Sequence, residues 1–363
     1  MGKKILFIGP HRPNRNGSQR FRMEQFFPYL KSAGFECDYS WFIDENDDAV
    51  LYSRGNWASK LKLLLKATGI RLRDVMRAGH YDVIFIQREA FMTGSVFFER
   101  MFSRSKAKMI FDFDDAIWLD DTSASNKNLA WLKRPQKTAE IIALSDTVIA
   151  GNSFLASYAS QFNPNVKVIP TVIDTNIYLP ENNDPFPSQK ICIGWSGSKT
   201  TVKHFAIIIP VLRKLKKKFG ERIWFKLIGD KNFNAENFEI ECSDWQFENE
   251  VAELGKIDIG LMPLPDDEWS KGKCGFKALQ YMALEIPPVI SPVGMNTEIV
   301  QHGVNGFFAT SEEEWISCIS LLVESHELRK KTGYEARKTV IKSYSVQSQL
   351  ESLISILIQK WMV

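Results

Sequence analysis

Three carboxylates within four residues, Asp112, Asp114 and Asp115, directly follow the apolar run 109–111. Carboxylates crowded at a strand end repel one another unless they are neutralised or used. They could ligate Mg²⁺, orient a substrate's hydroxyl groups or accept a proton from one. The plainer alternative has Asp112 capping a helix and the other two solvated. Arg88 and Glu89, just past the run 83–86, fall at the same strand edge. Three further segments offer small residues, free helix-start amides and cations. The first, 14–22, contains Gly17, Ser18 and Arg22. The second, 194–201, contains Ser196, Gly197 and Ser198, with Lys203 and His204 close behind. The third, 271–283, contains Lys273, Gly275, Phe276, Lys277 and Gln280. Together they could cradle a diphosphate, since backbone amides and lysines both favour anionic oxygens. Neither G-x-G-x-x-G nor the Walker A spacing is present. Each segment taken alone also reads as a capped helix start or a solvated basic loop.

Residues 54–77 have a different character. They hold seven basic side chains (Arg54, Lys60, Lys62, Lys66, Arg71, Arg73, Arg77) and one acid, Asp74, interleaved with Trp57, Leu61, Leu63, Leu64 and Leu65. Such a segment either attaches to anionic lipid headgroups or packs its leucines inward as a solvated helix face.

The elements that must position these residues follow from hydrophobic pattern. Short apolar runs at 5–8, 83–86, 109–111, 147–150 and 166–169 alternate with amphipathic stretches such as 24–33 and 138–144. Unbroken apolar runs are how strands buried on both faces read. A polar, proline-rich stretch follows, and then the rhythm restarts at 191–195, 224–228, 257–262, 289–291 and 306–308, with helices at 205–219, 277–283 and 312–325. The expectation is α/β, with two Rossmann-like doubly wound domains and ligands beyond the carboxyl ends of their strands. The expected domains are residues 1–175 and 190–345, joined by a linker at 176–189. A helix at 346–363 is expected to cross back to the first domain.

With 363 residues, 44% hydrophobic and 25% charged, the chain is an ordinary folded protein of two-domain size. Its net charge of +3 is too small for a dedicated nucleic-acid binder. Residues 1–175 carry 24 Lys/Arg against 19 Asp/Glu, and the remainder 22 against 24, so the first half is mildly basic. Five scattered cysteines without a C-x-x-C pair suit a reducing cytosol and argue against zinc or a disulfide framework. No apolar run reaches the roughly 18–20 residues of a membrane span. A cytoplasmic protein is expected, peripheral to the inner face of the membrane if residues 54–77 bind lipid.

The ordered stretches 258–264, 273–283, 287–291 and 298–307, with Gly303-Val304-Asn305-Gly306-Phe307 among them, resemble the GT-B glycosyltransferases of family 4 type. Residues 169–174 resemble the stretch these enzymes carry before their linker. The resemblance implies two domains facing across a cleft and retaining transfer from a nucleotide-diphosphate sugar to a glycan or lipid-linked glycan acceptor. It implies no essential metal or other cofactor, and it points to the branch that builds bacterial surface polysaccharides. The donor would bind Gly17, Ser18, Arg22, Ser196, Gly197, Ser198, Lys203, Lys273, Gly275, Phe276, Lys277 and Gln280. Asp112, Asp114 and Asp115 would serve the reaction centre, with Arg88 and Glu89 on the acceptor side. Two departures stand out. The family's Glu-x7-Glu pair falls on Gly272 and Gln280, and its Gly-Arg reads Gly197-Ser198, with Lys203 in the place of the following lysine. A GT-B nucleotide-sugar epimerase, or a non-catalytic nucleotide or glycan binder of the same fold, are the alternatives.

Overall fold

The computed structural model describes residues 3–52, 56–119, 134, 136–180 and 190–359. The chain divides into two units, Met1–Thr171 with Gln349–Val363, and Val172–Ser348. Each holds one parallel six-stranded sheet flanked by helices.

The first sheet comprises β1 Lys4–Ile8, β2 Glu36–Ser40, β3 Val83–Gln87, β4 Lys108–Phe113, β5 Thr147–Ala150 and β6 Val166–Val168, in the order β2-β1-β3-β4-β5-β6. Register sets Ile5 beside Val83 and Gln87 beside Asp112. Strand order reverses between β1 and β3, the place where open α/β sheets bind ligands beyond their carboxyl ends. The second sheet comprises β7 Ile191–Ser196, β8 Ile223–Ile228, β9 Glu241–Ser243, β10 Ile259–Met262, β11 Pro288–Ile290 and β12 Phe307–Phe308, in the order β12-β11-β10-β7-β8-β9. Its reversal lies between β7 and β10. The interior strands β1, β3, β4, β5, β7 and β10 are the apolar runs visible in the sequence, and every described residue past Lys4 in them is buried.

Strands β2 and β9 escape the sequence pattern. Both lie at a sheet edge, and their residues Glu-Cys-Asp-Tyr-Ser and Glu-Cys-Ser are only partly covered. An edge strand need not be apolar on both faces, and polar edge residues discourage pairing with other chains. The expected helix at 205–219 is two helices, Val202–Ala206 and Ile209–Phe219, the second opening with Pro210 in its first turn. Residues 181–189 of the expected linker lie outside the described residues. Residues 172–180 are tied into the second unit, where the Ile173 amide donates to Tyr344 O (2.8 Å) and Arg337 donates to Tyr178 O (2.8 Å).

The terminal helix Val346–Ile358 contributes its last turns to the first unit. Lys108 Nζ donates to Ile356 O at 2.7 Å and Lys3 Nζ to Ile358 O at 3.3 Å. Lys3, just before β1, and Lys108 of β4 thus satisfy carbonyls that a helix end leaves without intrahelical donors. No helix among the described residues is long and apolar enough to cross a membrane.

In the second unit, helix His326–Thr339 presses its backbone at Gly333 against the loop after helix Phe276–Ala283. A Cβ at Gly333 would fall on the Glu285 carbonyl oxygen, which is backbone and cannot swing away. On a free helix, Gly→Ala stabilises by about 0.5–1 kcal/mol. Here Gly333→Ala is expected to destabilise by about 1–3 kcal/mol. Urea unfolding reads the sign directly, and a stabilised variant would refute the close approach.

Candidate active site

At the carboxyl edge of the first sheet, the three aspartates part company. Asp112 is 1% exposed and bidentate to Arg22, with Nη2 to Oδ1 at 2.5 Å and Nε to Oδ2 at 3.1 Å. Arg22, 3% exposed, also donates to Ile169 O at 2.6 Å. Burial pushes the Asp112 carboxyl up, and the Arg22 charge and hydrogen bonds oppose it. Both residues, named in the sequence for donor and reaction centre, are thus engaged with each other in the interior. The pair instead fastens helix Gly17–Arg22 to β4 and to the segment after β6. Gly17 and Ser18 open that six-residue helix, which Asn16 caps by accepting from the Gln19 amide.

Asp114 and Asp115 are only half-buried beyond β4. Gln87 Nε2 donates to Asp114 Oδ1 at 3.4 Å, and Arg88 lies 3.7 Å from Asp115. Arg88 holds a left-handed backbone (φ 66°), its amide donating to Asp112 O at 2.8 Å. A long side chain in that region is uncommon and is held by its surroundings. The ladder turns Arg88 towards the aspartates. Glu89 turns instead to Lys137 (3.0 Å), so the two acceptor-side residues separate.

Beneath these loops lies Arg71, 0% exposed. Its guanidinium donates to Gly9 O (2.9 Å) after β1, Ser40 Oγ (2.9 Å) at the end of β2, Ala90 O (2.6 Å) after β3 and Asp74 Oδ2 (2.9 Å). The sequence pattern counts it among the surface cations of 54–77, but it is a buried clamp on three loops.

In the second unit, Ser196, Gly197 and Ser198 lie at the carboxyl end of β7, beside the reversal. The Tyr281 hydroxyl accepts from the Ser196 amide (2.8 Å), and the Gly197 amide donates to Ile228 O (2.9 Å) at the end of β8. Ser198 is held locally, its amide donating to Thr201 Oγ1 at 3.0 Å. Gly275 begins helix Phe276–Ala283 with φ 67°, and a Cβ there would strike Ile299. This tight entry lets Lys273 and Lys277 precede and open the helix around the half-buried Phe276. Lys277 Nζ lies 5.3 Å from the Trp195 ring of β7, and Lys273 Nζ lies 5.5 Å from the Trp269 ring.

His204 reports the field these lysines create. It is 5% exposed, and neither ring nitrogen has a hydrogen-bond partner. Burial, then the charges of Lys273, Lys277 and Lys203, push it down to about 4 against the opposing Asp267. Three cations whose charge reaches one buried imidazole make this strand end electropositive, the sign that suits a polyanion.

Gln280 is 1% exposed and faces inward, donating to Glu250 Oε1 (3.1 Å) and Tyr178 Oη (3.3 Å). Tyr178 Oη donates to Glu250 Oε2 (2.7 Å) and Trp245 Nε1 donates to Oε1 (2.8 Å). The carboxylate absent from position 280 therefore stands beside it, at Glu250. Glu250 also lines a cavity of about 400 Å³ with Ile228, Lys231, Ser243, Asp244 and Asn249, at the carboxyl ends of β8 and β9. No local motif marks Glu250 or Tyr178, because only the fold brings residues 178, 245, 250 and 280 together. Among the described residues, no group of three or more His, Cys, Asp or Glu side chains is placed to hold a metal ion.

Residues 181–339 match the family described as Glycosyl transferases group 1. No curated protein matches the chain. The fold is similar to that of sucrose-phosphate synthase from Thermosynechococcus elongatus (TM-score 0.70, 12% identity, 98% of this chain and 99% of that one). It is similar also to Anabaena Alr3699/HepE in complex with UDP and glucose (TM-score 0.69, 16% identity, 98% and 99%). A glycosyltransferase from Rickettsia africae ESF-5 gives a TM-score of 0.67 at 16% identity, with 98% of each chain covered. The match to the glycosyl transferases group 1 family thus falls within the second unit, and the chain as a whole has the GT-B fold.

Proposed function

We propose that the protein transfers a sugar, with retention of anomeric configuration, from a nucleotide-diphosphate sugar to a glycan or lipid-linked glycan during polysaccharide synthesis in the cytoplasm. The observation that carries this reading is the grouping of Lys273, beside Trp269, and Lys277, beside the Trp195 ring of β7, at the strand reversal of the second sheet, where their charges and that of Lys203 act on buried His204. A donor diphosphate there meets cations and the backbone of 196–198. The cavity of about 400 Å³ lined by Ile228, which is joined to Gly197 by one hydrogen bond, supports a place for the nucleoside beside it. HepE, bound to UDP and glucose, supports a donor of this class.

The chemistry asks for charge stabilisation more than for a nucleophile. The bond from the sugar's anomeric carbon to the donor phosphate oxygen breaks, and a bond from that carbon to the acceptor oxygen forms. The acceptor proton passes to the leaving phosphate oxygen. Lysines fixed beforehand stabilise the charge that grows on the diphosphate. Asp114 and Asp115 with Arg88, on the first unit, orient acceptor hydroxyls. Because lysines neutralise the diphosphate, no metal is required in this reading.

Helix Trp57–Arg77 supports attachment to an anionic membrane face, though through only part of the charge the sequence suggests. Lys66 is held by Asp44 (2.6 Å) and Asp47 (2.5 Å), Arg77 by Asp74 (2.9 Å), Arg71 is buried, and Arg54 lies outside the described residues. Lys62 and Arg73 carry no ion pair among the described residues. Beside them runs an apolar stripe of Trp57, Leu61, Leu65, Leu72 and Met76, from 44% to 78% exposed. An exposed stripe flanked by cations is the arrangement of a helix lying in a lipid headgroup layer.

Four measurements test these readings. A thermal-shift panel of UDP-, GDP- and other nucleotide-sugars should raise the melting temperature for one nucleotide class, by mass action on the native state. Lys273→Ala should then weaken that binding or turnover roughly 10- to 100-fold, the worth of one charge-assisted contact to phosphate. Unchanged affinity and turnover would remove Lys273 from the site. Turnover should survive exhaustive EDTA treatment, and a loss reversed only by Mg²⁺ or Mn²⁺ would overturn the metal-free mechanism. Finally, the protein should cosediment with phosphatidylglycerol vesicles at low salt, and Leu61→Glu with Leu65→Glu should release it. Wild-type protein that stays in the supernatant would refute the membrane contact.

A further inference from the structure

The carboxyl end of β1 holds a histidine that the mechanism above leaves unused. His11 has its backbone clamped on both sides. Gln19 Oε1 accepts from its amide (2.9 Å), and its carbonyl accepts from Gln19 Nε2 (2.9 Å) and from the Tyr39 hydroxyl (2.5 Å). A parallel bridge to Ile43 fixes the same residue against the next loop. The side chain therefore leaves a rigid base, at the strand pair β1–β3 where sheet order reverses and where Arg88 also sits.

The ring is 7% exposed, and its Nδ1 is buried without a hydrogen-bond partner. It lies 3.8 Å from Asp48 Oδ1, itself buried and without a partner. Asp48's other oxygen accepts from Arg12 (2.5 Å) and Arg15 (2.8 Å), so the carboxylate cannot turn away. Burial raises the Asp48 carboxyl, but the two arginines outweigh it and hold it below the usual carboxylate range. Two unsatisfied buried atoms facing each other are costly. Closing them by about 1 Å makes a hydrogen bond, as polar pairs in ligand-free sites do when substrate arrives. In that bond His11 must donate, because ionised Asp48 can only accept. Its proton then sits on Nδ1 and the lone pair on Nε2, the nitrogen not closed off by the fold.

We propose that His11, its tautomer set by Asp48, is an acceptor-binding residue whose Nε2 takes a hydrogen bond from a ring hydroxyl next to the attacking one. The proposal rests on the transfer reading above and adds a residue of the first unit to it. It requires a neutral ring at working pH, and the surroundings supply one. Burial, then Arg15, Arg88 and Arg12, push His11 down to about 4, with Asp48 alone opposing. Above that pH the ring keeps its lone pair, so acceptor kcat/KM should stay flat from about pH 5.5 to 8, with no break at the ordinary histidine value near 6.5.

The test has two arms. Histidine-¹⁵N-labelled protein, read by long-range ¹H–¹⁵N NMR at pH 7, should show one neutral ring with N–H at Nδ1 and a bare Nε2, identified by its absence in His11→Gln. A charged ring, or one protonated at Nε2, would overturn the proposal whatever the enzyme does. In the second arm, methyl glycosides serve as acceptors. His11→Ala should raise acceptor KM about three- to tenfold, the worth of one hydrogen bond, with UDP affinity within twofold of wild type. Gln, whose amide oxygen reaches the Nε2 position, should restore part of the loss, and Asp48→Asn should reproduce it. Equal KM in all four proteins, or a loss of melting temperature and UDP affinity in parallel, would give His11 a structural role only. Wild-type protein that glycosylates none of the glycosides would count against the transfer reading, while the ring measurement still decides His11.

Discussion

The first unit depends on one guanidinium. Arg71 reaches from helix Trp57–Arg77 under the sheet's carboxyl edge and holds the chain where it leaves β1, β2 and β3. A buried cation costs several kcal/mol to desolvate and persists only when its donors are satisfied. Here three loops and Asp74 satisfy them, so the loops cannot shift without leaving a charge uncompensated in the interior. His11, Arg88 and the turn between Gly9 and Gly17 inherit their positions from this constraint. The Arg22–Asp112 pair performs the corresponding task for β4 and the end of β6. Together the two arginines make a stiff floor on which half-exposed groups such as Asp114 and Asp115 can be aimed.

The second unit is organised by the opposite circumstance. Its lysines converge on a pocket where the facing titratable group, His204, is kept neutral by burial and by their own charge. Glu250, by contrast, is surrounded by donors from Tyr178, Trp245 and Gln280. One unit therefore keeps a cationic pocket and a saturated carboxylate apart, along neighbouring strand ends of a single sheet.

Legibility in the sequence followed burial and chain separation. Interior strands are buried on both faces and announce themselves as apolar runs, so both doubly wound sheets could be read from pattern. The edges β2 and β9 could not, because half of each faces water and carries polar residues. Segments rich in glycine, serine and lysine at strand exits were also visible, since the chemistry of phosphate contact requires those types. Which charges remain available was invisible. Arg22 and Asp112 lie 90 residues apart, Glu250 and Gln280 lie 30 apart, and nothing in either neighbourhood reports the other. Arg71 looks like its surface neighbours until the fold gives it three carbonyl and hydroxyl partners. His11, a lone histidine after a strand, gains meaning only from Asp48 and the clamps on its backbone.

The helix Val346–Ile358 carries a consequence for biogenesis. Its last carbonyls are taken by Lys3 and Lys108, residues of the first unit made early in translation. Between them and their partners the ribosome must produce the whole second unit. The second unit has all its strands in one continuous stretch, so it can close as soon as it emerges. The first unit must wait with two lysines and one flank uncovered until the final turns arrive. Completion of the earlier domain is thereby coupled to synthesis of residues 349–358, and a product truncated before them is left with its older half unsealed.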